Sequence, residues 1–177
     1  MKENAPAYRL RYLDDPVLRK TSEDVKVFRQ AEGELVKAMA EIMVGHRGAG
    51  LAAPQLGVLR RIIVVLPSIL PEGADTVFIN PEVVWRSEEE AVEDEGCLSL
   101  LSVASPLARP ARVTVKYLDA AGRARELEAE GLGARALVHE IDHLDGVLFI
   151  DHLSRLKRKQ VRDHFHKLHR ELGLGTR

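Results

Sequence analysis

The strongest concentration of chemistry in this chain is His139-Glu140-Ile141-Asp142-His143. At about 100° per residue, a helix carrying this run puts His143 only about 40° around the axis from His139 and one turn along it. Both imidazoles can then reach one ion, as a tetrahedral metal site requires. Glu140 sits about 100° from His139, near enough to take a proton from a water held there without itself ligating. Leu137, Ile141 and Leu144 make an apolar stripe on the other side, so both faces of the helix have work and the helix should be central. The competing reading is coincidence, two surface histidines beside a helix-favouring glutamate, which is the standing risk of a five-residue pattern.

Two histidines leave a third ligand open. One metallopeptidase solution places a third His six residues after His143, but that position is Phe149. Another places a Glu roughly twenty residues downstream, whereas Glu171 is 28 after His143, inside a basic segment. His152 is conceivable, although it follows a helix end. The remaining soft ligand is Cys97, in Glu95-Gly96-Cys97-Leu98-Ser99. A lone cysteine is more often a small buried hydrophobe than a ligand. Upstream, Gly48-Ala49-Gly50-Leu51-Ala52-Ala53 formally fits the dinucleotide-binding glycine pattern, which has meaning only between a strand and a helix. Here a helix precedes it and Pro54 follows. The run better describes a tight loop whose backbone passes close to a ligand, with Gln55 presenting a side-chain amide.

Taken together and in order, the segments Gly48 to Gln55, Glu95 to Ser99 and His139 to His143 closely resemble the motifs of the peptide deformylases. So do Asp15-Pro16-Val17-Leu18-Arg19-Lys20, Ile79-Asn80-Pro81 and Asp145-Gly146, and the likeness runs over about residues 8–170. The resemblance implies that Cys97, His139 and His143 hold one divalent metal, Fe²⁺ as usual in that family, with Zn²⁺, Ni²⁺ or Co²⁺ able to replace it. It further implies hydrolytic removal of the formyl group from N-terminal formylmethionine of nascent polypeptides. In that scheme Glu140 is the general base, and the Gln55 amide with the Leu98 N–H receives the oxyanion. Gly48, Ala49 and Gly50 join Gln55 and Leu98 in binding substrate, and Ala49 with the Leu132–Val138 turn lines the methionine pocket. Departures occur in two places. The run Leu100-Leu101-Ser102-Val103-Ala104-Ser105-Pro106 lacks the early proline and the arginine common in the family, and Val138 stands where Gln is common. Two alternatives stay open: a metallopeptidase using the same His-Glu-His helix, and a non-catalytic relative that only binds formylated peptides.

The elements that must position these residues follow from patterning. With 177 residues, a formal net charge of −1 and 45% apolar residues, one catalytic domain over residues 1–177 is expected, with 173–177 a frayed tail. The single cysteine fits a reducing cytoplasm, the first six residues show no leader pattern, and no apolar run approaches the ~20 residues a bilayer needs. Near-neutral charge argues against DNA as a partner and against membrane binding through the whole surface. Helices are expected over about Phe28 to Val44, Leu132 to Leu144 and Ser154 to Leu172, the last carrying Leu156, Val161, Phe165, Leu168 and Leu172 on one side. A structured loop over 45–57, a buried strand over Arg61 to Leu66, an interrupted strand over Thr76 to Arg86 and a hairpin over 111–129 complete the reading. The fold class is α+β: antiparallel β-sheets and a hairpin around a central metal-binding helix, with a C-terminal amphipathic helix. Six acids in Glu88 to Glu95 read as a solvated face. Seven Lys or Arg in 155–170 read as a solvated face or as an anchor for ribosomal RNA. Asp142 and Arg135 are expected to pair with each other or to support the ligands, and Glu95 with Arg109 to clamp the cysteine loop.

Overall fold

A computed structural model describes residues 8–174, so the N-terminal leader reading and most of the expected tail fall outside the described residues. The chain forms helices α1 (Gln30–Gly45), α2 (Gly131–Leu144) and α3 (Arg155–Glu171). Its strands are β1 (Gly50–Ala52), β2 (Ile62–Val65), β3 (Val77–Arg86), β4 (Glu90–Gly96), β5 (Ala104–Pro110), β6 (Arg112–Leu118) and β7 (Ala124–Glu130). Five of them make an antiparallel sheet in the order β1-β2-β3-β6-β7, and β4 pairs only with β5. The expected α+β class holds.

The sheet is a partition between two cores. Along β2, Ile63 and Val65 pack with Leu137, Ile141 and Leu144 of α2, while Ile62 and Val64 pack with Leu35, Met39 and Met43 of α1. A strand covered on both faces reads as an unbroken apolar run, which is why Ile62-Ile63-Val64-Val65 shows no alternation. A third core joins Val161 and Phe165 of α3 to Leu18, Leu100, Phe149, Ile150 and Cys97. The expected interruption of β3 is a pair of register shifts against β6, between Ile79 and Glu82 and between Val83 and Trp85. Asn80 takes a left-handed φ of 49° there, and its side-chain amide bonds the N–H and C=O of Val25 at 2.8 and 3.0 Å.

Three sequence expectations need correction. The 45–57 loop contains strand β1, paired Gly50 to Val65 and Ala52 to Ile63, and then a 3₁₀ turn over Ala53–Leu56. The acidic run Glu88 to Glu95 keeps five of its six acids exposed, as a solvated face should, but most of it is strand β4, which turns Glu95 inward. On α3, Leu156 is 67% exposed: five residues before Val161, it lies about 140° off the buried face. Leu172 lies on that face, yet is 61% exposed.

Candidate metal centre and its cavity

Strand β4 runs straight into Cys97, and α2 crosses behind it. Cys97 Sγ lies 3.3 Å from His143 Nε2, and one donor atom from each of Cys97, His139 and His143 falls within 4.8 Å of the others. A tetrahedral ion bound by thiolate and imidazole separates its sulfur and nitrogen by roughly 3.5 Å, so the spacing fits. All three side chains are buried, and they form the one such His/Cys/Asp/Glu group among the described residues. His152, conceivable as a ligand from sequence, instead bonds Asp142 at 2.9 Å from a half-exposed position.

The surroundings orient these donors. Glu95 is 4% exposed, and its carboxylate accepts from His139 Nδ1 (2.7 Å), from Arg109 Nε and Nη2 (3.0 and 2.7 Å) and from Arg135 Nη1 (2.9 Å). With Nδ1 committed, Nε2 of His139 is the nitrogen left to ligate. Burial alone would raise the Glu95 carboxyl, but the bonds to His139 and Arg109 outweigh it and hold the group far below the usual carboxylate range. Burial likewise disfavours charge on His139, yet Cys97 and Glu95 overcome it and favour a positive ring. His143 is pushed well down by burial and by His139. Cys97 and Glu95 thus both favour positive charge at the position of His139. The expected Glu95–Arg109 clamp is present, and Arg109 Nη1 continues to Asp142 at 2.8 Å. Asp142 and Arg135 do not pair with each other: they sit at opposite ends of the α2 segment facing Glu95, and each takes a partner from the β4–β5 hairpin.

Beside the cluster lies a cavity of about 230 Å³ lined by Ala49, Gly50, Gln55, Cys97, Leu98, Leu132, Arg135, Ala136, His139 and Glu140, among others. Gly48, also expected near substrate, is part of its wall. Glu140 is 4% exposed, and its Oε2 has no hydrogen-bond partner among the described residues. Burial pushes its carboxyl up to about 7, against the opposing field of His139. Gly50 makes room for it: a Cβ there would lie 2.8 Å from Glu140 Oε1 and 2.7 Å from its Cγ. Gln55 is pinned by the Ala52 N–H, which donates to Oε1 at 2.8 Å, and its Nε2 donates to Ser99 Oγ at 3.1 Å and to Cys97 Sγ at 3.5 Å. The atypical segment after Cys97 bends back through two left-handed residues, Leu101 (φ 55°) and Ser102 (φ 58°), and closes on the Cys97 carbonyl through the Ser102 N–H at 2.9 Å. Of the two expectations for Arg135, support of the ligands is the one observed, through Glu95, whereas nothing in a helical pattern says which strand will face it.

A His-Glu-x-x-His helix, a buried thiol and an adjoining cavity on an α+β frame define a metal-dependent hydrolase. Residues 7–159 match the polypeptide deformylase family. The chain is 46% identical over 164 residues to a peptide deformylase of Rhizobium meliloti, covering 91% of this chain and 93% of that one. It is 48% identical over 152 residues to one from Thermodesulfovibrio yellowstonii, covering 85% and 92%. The crystal structure of a peptide deformylase from Legionella pneumophila superposes with a TM-score of 0.88 at 38% identity, covering 96% and 99%. This chain belongs to the polypeptide deformylase family, hydrolases that remove the formyl group from the N-terminus of nascent peptides.

Proposed function

We propose that one catalytic domain spanning residues 1–177 hydrolyses the formyl amide of N-terminal formylmethionine, with Cys97, His139 and His143 holding one divalent metal and Glu140 as general base. The observation that carries this reading is the buried Glu140, which lines the cavity beside those three donors and whose Oε2 has no partner among the described residues. A divalent cation held by Cys97, His139 and His143 would lower the pKa of a water toward ~7 and polarise the formyl oxygen. Glu140, whose burial already makes it a stronger base than a surface carboxylate, takes the proton of the attacking water and passes it to the departing amine. The products are formate and a free amino terminus. The Leu98 N–H has no hydrogen-bond partner among the described residues and is available to the oxyanion. Gln55 Nε2 supplies the second donor by exchanging its long contact to sulfur, while Ala52 keeps the amide in place. Leu132 and Ala136 of α2 line the cavity together with Ala49 and receive the methionine side chain.

Thiolate with two imidazoles suits Fe²⁺ and equally Zn²⁺, Ni²⁺ or Co²⁺; iron is proposed on family resemblance and would make the enzyme sensitive to oxidation at Cys97. Metal analysis of anaerobically purified protein tests that assignment. A cytoplasmic site of action follows from the substrate; no described helix is long and apolar enough to cross a membrane. Docking to ribosomal RNA through α3 rests on Arg155, Lys157, Arg162 and Arg170, which make no ion pair among the described residues. Arg158 is committed to the carbonyls of Ile150 and Asp151, while Lys159 pairs with Asp163 and Lys167 with Glu171. Salt-sensitive co-sedimentation with ribosomes is the expected result.

The deciding experiment measures formate release from a formyl-Met peptide by the wild type and Glu140→Gln. Loss of about 10²–10⁴-fold in turnover with metal content retained supports the assignment. Equal turnover by the variant would remove Glu140 from the chemistry, and cleavage of internal bonds without formate release would restore the peptidase reading.

A further inference from the structure

We infer that Arg135 clasps the β4–β5 hairpin to α2 at a set distance, and thereby fixes the width of the cavity and the first side chain it admits. The inference rests on the deformylase reading of that cavity. The hairpin is not part of the five-stranded sheet; its strands pair only with each other. Its base is tied to β6 by the Ser87 N–H donating to the Arg112 carbonyl at 3.0 Å and is closed by the Ala111 N–H donating to the Glu89 carbonyl at 2.8 Å. Its far end is anchored in the core by Cys97, Leu100 and Val103 of the connecting segment, but along the two strands the buried residues are Glu95 on β4 and Ser105, Leu107 and Arg109 on β5, of which only Leu107 is apolar. Between its base and that far end, strands with so little apolar surface to bury depend on polar contacts for their position against α2.

Arg135 supplies contacts that reach both strands. Its Nη2 donates to the Ala91 carbonyl of β4 at 2.8 Å, and its Nη1 donates to the Leu107 carbonyl of β5 at 3.1 Å and to Glu95 Oε2 at 2.9 Å. A planar guanidinium fork holds three acceptors in one rigid arrangement, which an ammonium cannot. Leu132, Arg135, Ala136 and His139 recur at helical spacing and all line the cavity. Asp94, Glu95, Gly96 and Cys97 line it too. Arg135 therefore starts from one wall and grips the other.

Amide deuterium exchange and steady-state kinetics on Arg135→Met and Arg135→Lys test this, with formyl-Met-Ala-Ser and formyl-Phe-Ala-Ser as substrates. In Arg135→Met, exchange across 90–96 and 104–110 should rise about ten-fold, as expected for losing charge-assisted bonds. KM for the formyl-Met peptide should rise more than kcat falls, and the preference for Met over Phe should shrink about ten-fold, with metal content unchanged. Arg135→Lys should behave like Arg135→Met. Unaltered hairpin exchange, full rescue by lysine, or loss of metal with KM preserved would each overturn the inference, the last by tracing Arg135 to His139 through Glu95. Formate released from neither peptide by the wild type would instead overturn the deformylase reading, while the exchange measurement still reports on the clasp.

Discussion

Glu140 shows how much a single side chain here depends on its neighbour's lack of one. Its carboxylate is buried, carries an oxygen without a partner among the described residues, and occupies space that a Cβ on Gly50 would need. Gly50→Ala should thus displace Glu140, the proposed general base, while leaving Cys97, His139 and His143 untouched. A shift approaching 1 Å in a reacting group costs as much as about a hundred-fold in rate, so a drop of about ten- to a hundred-fold is expected. Formate release measured against metal content checks it: a parallel loss of metal would mean that the substitution disturbs α2 as a whole. The glycine-rich pattern was visible in sequence, but its partner was not. The close approach joins residues 50 and 140, and no local rule reports so distant a contact.

Among the elements, α2 is held at its C-terminal end by a contact that explains two sequence motifs at once. Gly146 follows the helix at φ 74°, and a Cβ there would lie 2.7 Å from the carbonyl oxygen of Arg19. The 3₁₀ turn over Pro16–Arg19 is thereby packed against the helix end, with Leu18 fully buried and Arg19 paired to Asp151. Gly146→Ala combines left-handed strain with a backbone clash and should cost about 2 kcal/mol or more. Urea unfolding reads this as a lower midpoint at unchanged m. An unchanged midpoint would show that the turn moves aside freely. The helices and the 111–129 hairpin were legible because their apolar residues recur at 3.6 or 2 along the chain. Strands β4 and β5 were not, since the residues they turn inward are mostly Glu95, Ser105 and Arg109 rather than an apolar set.

At the scale of the whole molecule, the donor cluster stitches the β4–β5 hairpin to α2, so a metal held there would be coupled to stability. A ligand bound at 1,000 times its Kd adds about 4 kcal/mol to the fold. Removal of metal by a chelator should lower Tm by several degrees, and readdition should restore it; a Tm indifferent to chelation would argue that these three side chains hold no ion in solution. Alkaline stability should report on a different core. Burial and the Asp75 partner at 2.7 Å push Tyr117 up to about 12. The unfolded chain releases this proton near pH 10, so between about 10 and 12 the folded state binds more protons than the unfolded one, and stability falls as pH rises. Tyr117→Phe should lose that part of the decline, measured as Tm against pH; an unaltered slope would assign the decline to other groups.

The types and order of residues along the chain were enough to single out His139, Glu140 and His143 on a helix, because ligand spacing and helical period are both local. Resemblance of three ordered motifs added Cys97 and the formyl amide as substrate. Tertiary structure alone decided that Glu95 bonds His139, that Arg135 and Asp142 turn to the hairpin rather than to each other, and that Gly50 vacates the space of Glu140. Those contacts span 33 to 90 residues of chain, and their partners are chosen by packing between elements, which periodicity within an element does not encode.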